Sequence, residues 1–322
     1  MIQVIQTTQI LENRTVKLWN LETDLVVKTY EGHTNSVFKV AFNQDETKIL
    51  SGSADGTLLE WDVITGRVRA IIQENGGMID CFALSSDFRY IVTGSRDKLL
   101  RLWNAETGRL IKEFDTFNSE IWAVAYSKNG KFVVAEGNSN SIGHEPIRLY
   151  NVKTGMLIKE MNGHTRDITA FDFISDDEKI ISSSFDNTSR VWDVKTGECI
   201  NTLGSGDVIA IRSLCISKDG RFLVTAGGNA MVKLWELTTG KPLQTFIGHE
   251  GMVRASCLSH DNKYLYTGSW DGTARKWDLK TGKCQVIYKG HKCRVYSIAL
   301  TNDGTRLFSG TMVDAPSNLY WP

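Results

Sequence analysis

An aromatic residue returns at a nearly constant interval along the chain: Trp19, Trp61, Trp103, Tyr150, Trp192, Trp235, Trp277 and Tyr320. The spacings are 42, 42, 47, 42, 43, 42 and 43 residues. Gly248 to Asp278, GHEGMVRASCLSHDNKYLYTGSWDGTARKWD, is the fullest copy of the unit between them. It holds a Gly-His pair, an apolar run (Val253 to Leu258), a second run ending in Thr267, a tight turn at Asp271-Gly272 and a run closing on Trp277-Asp278. A fixed period of this size, built of short β-type runs between turns, predicts an all-β radial array of four-stranded sheets.

At 322 residues the length alone allows two domains, but a ring of repeats closes as one unit. The expectation is a single domain over 1–322, with closing strands in 1–30 and repeats in 31–322. Lys plus Arg and Asp plus Glu stand at 37 each, so no overall field draws the chain to nucleic acid or an anionic membrane. The six cysteines, Cys81, Cys199, Cys215, Cys257, Cys284 and Cys293, have no zinc-site spacing and read as reduced thiols. Neither a metal nor a cofactor is expected. The N-terminal stretch MIQVIQTTQILENR is too short in apolar residues for a signal peptide, and no run is long enough to cross a membrane as a helix. The expectation is a soluble intracellular protein, cytoplasmic by default with the nucleus left open.

Each unit yields four strands. Near-continuous apolar runs such as Val37 to Phe42, Ile121 to Tyr126 and Val295 to Leu300 suit an innermost strand packed on both faces. Seven such runs begin near Val37, Ile79, Ile121, Ile168, Ile211, Val253 and Val295. Thr-Gly steps at 65–66, 107–108, 154–155, 196–197, 239–240 and 281–282 suit hairpins that need positive φ before an outer strand. Seven inner and seven outer strands predict seven blades, yet there are eight third-strand endings. Asn13 to Asn20 and Ser317 to Pro322 compete for the closing blade, and Asn13 to Asn20 is the better copy. Leu25 to Tyr30, with the strand ending at Trp19, is predicted to pair with the C-terminal strands and remove free edges. Eight blades, the first lacking its inner strand, is the alternative.

The Gly-His pairs at Gly32, Gly163, Gly248 and Gly290, with Trp-Asp at Trp61, Trp192 and Trp277 and softened forms at Trp19-Asn20, Trp103-Asn104, Tyr150-Asn151 and Trp235-Glu236, resemble the WD40 repeat family of β-propellers. The resemblance covers nearly the whole chain and implies a seven-bladed propeller of four-stranded antiparallel blades. It also implies a buried hydrogen-bonded chain of His, Ser or Thr, Asp and Trp. That chain is complete at His33, Ser51, Asp55 and Trp61; at His164, Ser182, Asp186 and Trp192; and at His249, Thr267, Asp271 and Trp277. A hydrolase triad would occur once beside an oxyanion hole, whereas this set occurs three times, always with a Trp, so no catalytic residue is assigned. The Trp103 and Trp235 units have lost the histidine and are expected to be looser. His144 replaces the turn aspartate in a unit that carries the insertion Glu136 to Pro146, EGNSNSIGHEP, expected as a loop.

In such a fold the link into the inner strand and the turn between second and third strands emerge on one face, where the family commonly binds peptides. The residue after the first apolar residue of each inner strand reads Phe38, Asp80, Trp122, Thr169, Arg212, Arg254 and Tyr296. Two residues earlier stand Ser36, Met78, Glu120, Asp167, Ala210, Met252 and Arg294; before the turn aspartate stand Ala54, Arg96, Phe185, Gly228, Trp270 and Val313. Aromatic and arginine residues dominate interface hot spots. Phe38, Asp80, Arg96, Trp122, Phe185, Arg212, Arg254, Trp270, Arg294 and Tyr296 are therefore the candidate protein-binding residues. Phe38 and Trp122 read equally well as filler between blades. The expected function is a non-catalytic scaffold binding peptide segments of partner proteins. The narrower alternative is a substrate-recognition module for an acidic or phosphorylated peptide, as in ubiquitin-ligase receptors of this family. A propeller enzyme and a nucleic-acid binder are the rivals of other classes.

Overall fold

The structure is a computed structural model that describes residues 14–43, 45–73, 77–138, 145–174, 177–204 and 208–312. Among these residues the strands form seven four-stranded antiparallel sheets. The inner strands are Val37–Phe42, Ile79–Leu84, Glu120–Tyr126, Ile168–Ile174, Ile211–Ile216, Val253–Leu258 and Arg294–Leu300. They touch one another in that order and the last returns to the first, so the sheets stand as blades around an axis.

Six blades are continuous in sequence, and each takes its name from the aromatic near the end of its third strand. The seventh, the Trp19 blade, is built from both ends of the chain. From rim to axis it runs Leu25–Tyr30, Val16–Asn20, Arg306–Met312 and Arg294–Leu300. Val16 pairs with Gly310 and Asn20 with Arg306. The expected clasp is thus present and the blade number is seven. Tyr320 and the rest of Ser317 to Pro322 lie outside the described residues, as do Val313 and His144.

There is no single core. Seven apolar clusters lie between blades, one at each interface of the ring. One joins Val16, Tyr30 and Phe308 of the Trp19 blade to Val37, Val40 and Trp61 of the next. A blade on its own would leave such a face in water, so each blade depends on both neighbours.

The repeat signature is explained by what packs on the tryptophan. Trp19, Trp61, Trp192 and Trp277 are each 1% exposed. The glycine of the Gly-His pair crosses the far edge of this ring: a Cβ at Gly32 would stand 2.8 Å from Trp61 Cη2, and one at Gly290 2.8 Å from Trp19 Cη2. The aspartate after the tryptophan has a different task. Asp62 Oδ1 accepts from the backbone N and the hydroxyl of Thr65 at 2.6 and 2.7 Å, closing the turn in which Gly66 has φ of 76°. Asn104 and Asn151 accept from Thr107 N and Thr154 N at 2.8 and 2.9 Å, so the softened Trp-Asn forms do the same work.

The three complete polar chains form as expected. Trp61 Nε1 donates to Ser51 Oγ at 2.7 Å, Ser51 Oγ lies 2.7 Å from His33 Nε2, and His33 Nδ1 lies 2.9 Å from Asp55 Oδ2. The matching distances are 2.8, 2.7 and 2.7 Å through Ser182, His164 and Asp186, and 2.8, 2.7 and 2.6 Å through Thr267, His249 and Asp271. A fourth chain joins the ends of the sequence. Trp19 Nε1 donates to Ser309 Oγ at 2.8 Å, and His291 Nε2 lies 2.6 Å from the same oxygen.

The other blades use different solutions. In the Trp103 blade the indole donates to Thr93 Oγ1 at 2.9 Å, and Asp97 pairs with Arg101 at 2.7 Å. In the Tyr150 blade Ala135 holds the register of Ser51, and the buried Phe117 ring lies 6.3 Å from Tyr150, so packing replaces the polar chain. The insertion is shorter than expected from sequence. The second strand of this blade runs Phe132–Asn138, so Glu136 belongs to a strand and not to the loop.

Ser309→Ala would strand Trp19 Nε1 and His291 Nε2 together. The expected cost is about 1–3 kcal/mol for each stranded group, read as a lower urea midpoint at unchanged slope; a wild-type midpoint would contradict this clasp. Burial opposes ionisation of Asp55, Asp186 and Asp271, but hydrogen bonds from histidine, threonine and backbone outweigh it and hold all three well below the usual carboxylate range. Burial, with Lys17 adding to it, pushes His291 down to about 3, and burial lowers His249 against the pull of Asp271. All five groups have folded-state values below their unfolded ones, so the unfolded chain binds more protons on acidification. Their contribution is complete above about pH 6.5 and is lost as pH falls, the histidine part first and the aspartate part below about pH 4. The urea midpoint should decline from pH 7 to 4, and His291→Gln should flatten part of that decline. A midpoint that does not move over this range would count against the buried neutral histidines.

Candidate protein-interaction face

Every inner strand is interrupted at the same place. Pairing with the second strand shifts between Val37 and Lys39, Ile79 and Cys81, Ile121 and Ala123, Ile168 and Ala170, Ile211 and Ser213, Val253 and Ala255, and Val295 and Ser297. The residue skipped in each is the extra residue of a β-bulge, which turns its side chain out of the ladder. These residues are Phe38, Asp80, Trp122, Thr169, Arg212, Arg254 and Tyr296, and all seven line one cavity of about 190 Å³ at the axis. The turn between second and third strands is tied to the same end. Ala54 N donates to Ser36 O at 2.9 Å, Phe185 N to Asp167 O at 3.0 Å and Trp270 N to Met252 O at 2.8 Å. The three series of positions therefore share one face.

That face has two unlike halves. On one, Asp80 is gripped by Arg96, whose Nε donates to Oδ2 at 3.0 Å and whose Nη2 reaches Oδ1 at 3.3 Å. Glu120 stands 3.9 Å from Arg96 Nε and accepts from Trp122 Nε1 at 3.0 Å. Burial lifts the Asp80 carboxyl to about 6 despite the pull of Arg96, with Glu120 adding to the rise. Arg96 thus belongs to a local ion-pair network and stands apart from the other candidate arginines.

On the other half, guanidinium groups lie on aromatic rings. Arg212 sits 3.9 Å from the Phe185 ring centre, Arg254 4.6 Å from that of Tyr296, and Arg294 4.3 Å from that of Trp270. Arg254 Nη1 donates to Arg212 O at 2.6 Å, which brings these two residues of neighbouring blades together. Among the described residues Arg212 Nε and Arg254 Nε have no hydrogen-bond partner, and no carboxylate pairs with either side chain. Burial, then the charges of Arg254 and Arg166, pulls Arg212 down to about 10. The positive charges of Arg212 and Arg254 are crowded, with no carboxylate in direct contact among the described residues. Phe38 and Phe185 are buried, at 8% and 7% exposure, and serve as floor: Phe38 packs on Tyr296 with ring centres 5.3 Å apart, and Phe185 carries Arg212. Thr169 spends its hydroxyl on Ser183 O and Ile211 O.

Two residues of this face escaped the sequence reading. Arg166 lies 5.8 Å from the Phe185 ring centre, and its place just before Asp167 was the available signal. Glu136 is 4% exposed, and its Oε2 accepts from Ile168 N of the next blade at 2.7 Å; burial raises its carboxyl well above the usual range. In register it replaces Gly52, Gly94, Gly268 and Gly310, and a carboxylate among aligned glycines could have been seen. Among the described residues no cluster of His, Cys, Asp or Glu could hold a metal, and no helix is long and apolar enough to cross a membrane.

The chain matches the family described as "WD domain, G-beta repeat" over residues 25–62, 66–104, 155–193, 197–236, 240–278 and 282–314, well over half its length. The gap at 105–154 is the Tyr150 blade, where phenylalanine and alanine stand in for the histidine and serine. Among curated proteins it is 37% identical over 79 residues to nuclear distribution protein nudF of Emericella nidulans, covering 24% of this chain and 18% of that protein. It is 29% identical over 247 residues to apoptotic protease-activating factor 1 of Danio rerio, covering 76% of this chain and 19% of that one. It is 40% identical over 76 residues to target of rapamycin complex subunit wat1 of Schizosaccharomyces pombe, covering 23% of this chain and 24% of that one. The chain thus spans about a fifth of the length of these relatives. Repeats that match the family along most of the sequence, on seven blades whose polar chains explain the repeat signature, show that the chain belongs to the WD-repeat β-propeller family.

Proposed function

We propose that this chain is a non-catalytic scaffold that holds peptide segments of partner proteins across the axial mouth, with Arg212, Arg254 and Arg294 and their aromatic supports as the gripping half. The observation that carries this reading is the set of seven bulge residues on one mouth, where Arg212 and Arg254 crowd together without a carboxylate. An unpaired guanidinium presents a planar fork of donors that suits a carboxylate or phosphate. Trp270 and Tyr296 add apolar area beside it, the combination typical of interface hot spots. An acidic peptide laid over this half leaves the Asp80 half for a basic or polar neighbour.

The names of relatives support an interaction role: wat1 is named as a subunit of a complex. The enzyme rival needs a deep pocket with unpaired carboxylates at the axis; at the mouth Asp80 is held by Arg96, and Glu120 accepts from Trp122 Nε1. The cavity is also smaller than the roughly 300–1,000 Å³ usual for small-molecule sites.

The triple variant Arg212→Ala, Arg254→Ala, Trp270→Ala tests the face directly. Partners retained by immobilised wild type, and by a Lys195→Ala control on the opposite side, should fall at least about tenfold on the triple variant at equal thermal stability. An unchanged partner set would refute this site.

A further inference from the structure

One residue further into the ring than each bulge, the wall of the axial cavity is built of small side chains with one exception. Six blades place a cysteine, an alanine or a serine there, and the Trp61 blade places Lys39. Lys39 is surrounded by protein yet keeps surface on the cavity. Among the described residues its ammonium has no hydrogen-bond acceptor and no carboxylate at ion-pair distance; Nζ stands 5.6 Å from the centre of the Phe82 ring. Burial lowers the lysine's pKa, Cys81 and Asp172 pull against it, and the charge of Arg254 lowers it further. The pull of Asp172 acts at a distance, and its Oδ1 accepts from Phe173 N at 2.8 Å.

Arg212 and Arg254 line the same cavity, and their Nε atoms have no acceptor among the described residues. Ser297 Oγ, also on the wall, accepts from Val40 N at 3.0 Å, which leaves its hydroxyl proton to donate elsewhere. The carboxylate on this wall, Asp80, is held by Arg96. Three cationic side chains from three blades thus border one small space. A buried charge without a partner is unfavourable, so what the space lacks is negative charge with acceptors on several sides. A carboxylate brings one charge and a flat pair of oxygens. A phosphate monoester brings about 1.5 to 2 negative charges at pH 7 and three acceptor oxygens, so it can meet cations that approach from different blades.

We propose that the base of the mouth is a phosphate site, in which Lys39 separates a phosphorylated ligand from a merely acidic one and Arg212 and Arg254 reach the same group from the far side of the ring. The phosphate is free or is carried on a serine of a bound peptide; only the second source rests on the peptide-holding role proposed above.

The test uses the intact chain in phosphate-free buffer at fixed ionic strength, with inorganic phosphate, N-acetyl-phosphoserine methylamide and N-acetyl-glutamate methylamide as probes. Backbone amide NMR should show saturable shifts at Lys39 and Ser297 with a phosphate probe, and at least about tenfold weaker binding of the glutamate probe. Tighter binding of the phosphoserine probe than of inorganic phosphate assigns the site to a peptide, and equal or weaker binding assigns it to the free ion. Lys39→Met keeps the length of the side chain and removes the buried charge. It should melt no lower than wild type without phosphate, and bind both phosphate probes at least about tenfold more weakly. Arg254→Gln, on another blade, should weaken the same binding. Glutamate binding as tight as phosphoserine, phosphate binding undiminished in Lys39→Met, or no saturable binding of phosphate to the folded wild type would overturn the site. Absence of phosphate binding to wild type, together with loss of partners on the triple variant of the mouth, would refute the phosphate site and leave the scaffold role standing.

Discussion

Every blade of this molecule buries its apolar surface on the next, so the structure depends on the ring being closed. A row of six blades would expose two interfaces like that between Val16, Tyr30 and Phe308 on one side and Val37 and Trp61 on the other. The chain removes both by placing Val16–Asn20 between Leu25–Tyr30 and Arg306–Met312. The bond from Trp19 to Ser309 spans 290 positions in sequence, yet it has the same geometry as bonds that span 10 elsewhere. Closing so long a loop is entropically unfavourable, and that cost is offset because two blade interfaces form together.

The polar chains and the bulges divide the labour of the repeat. The histidine, the serine or threonine and the aspartate behind Trp61, Trp192 and Trp277 are spent on one another, so they fix the blade and are not offered to a ligand. The bulge residue has the opposite status. Because it is skipped by the ladder, its identity is free, and seven blades present Phe, Asp, Trp, Thr, Arg, Arg and Tyr at an equivalent place. A repeat fold can hold its shape and vary its recognition because these two sets do not overlap.

Departures from the repeat are informative because six siblings show what each position normally does. Arg101 takes over Asp97 where a histidine is lacking, and Phe117 with Ala135 converts a polar chain into packing. Both keep the blade. Glu136 differs in kind, since it brings a buried carboxylate to a blade interface. Such positions stand out only after the siblings have been aligned in space.

Much of the scaffold was legible in the sequence. The period of the aromatic, the apolar inner runs and the Thr-Gly steps are local signals, and they identified seven inner strands, the three complete polar chains and the clasp at Leu25 to Tyr30. The ten candidate residues were named without knowledge of how they are arranged. That Phe38 and Phe185 are floor, that Arg96 grips Asp80 while Arg212 and Arg254 touch no carboxylate among the described residues, and that His291, Ser309 and Trp19 form a fourth chain were decided by tertiary structure alone. The reason is physical: strand and turn formation depend on neighbours a few residues away, which the sequence displays in order. Burial and charge pairing on the face depend on which side chains, one or more repeat lengths apart, the closed ring brings within a few ångströms.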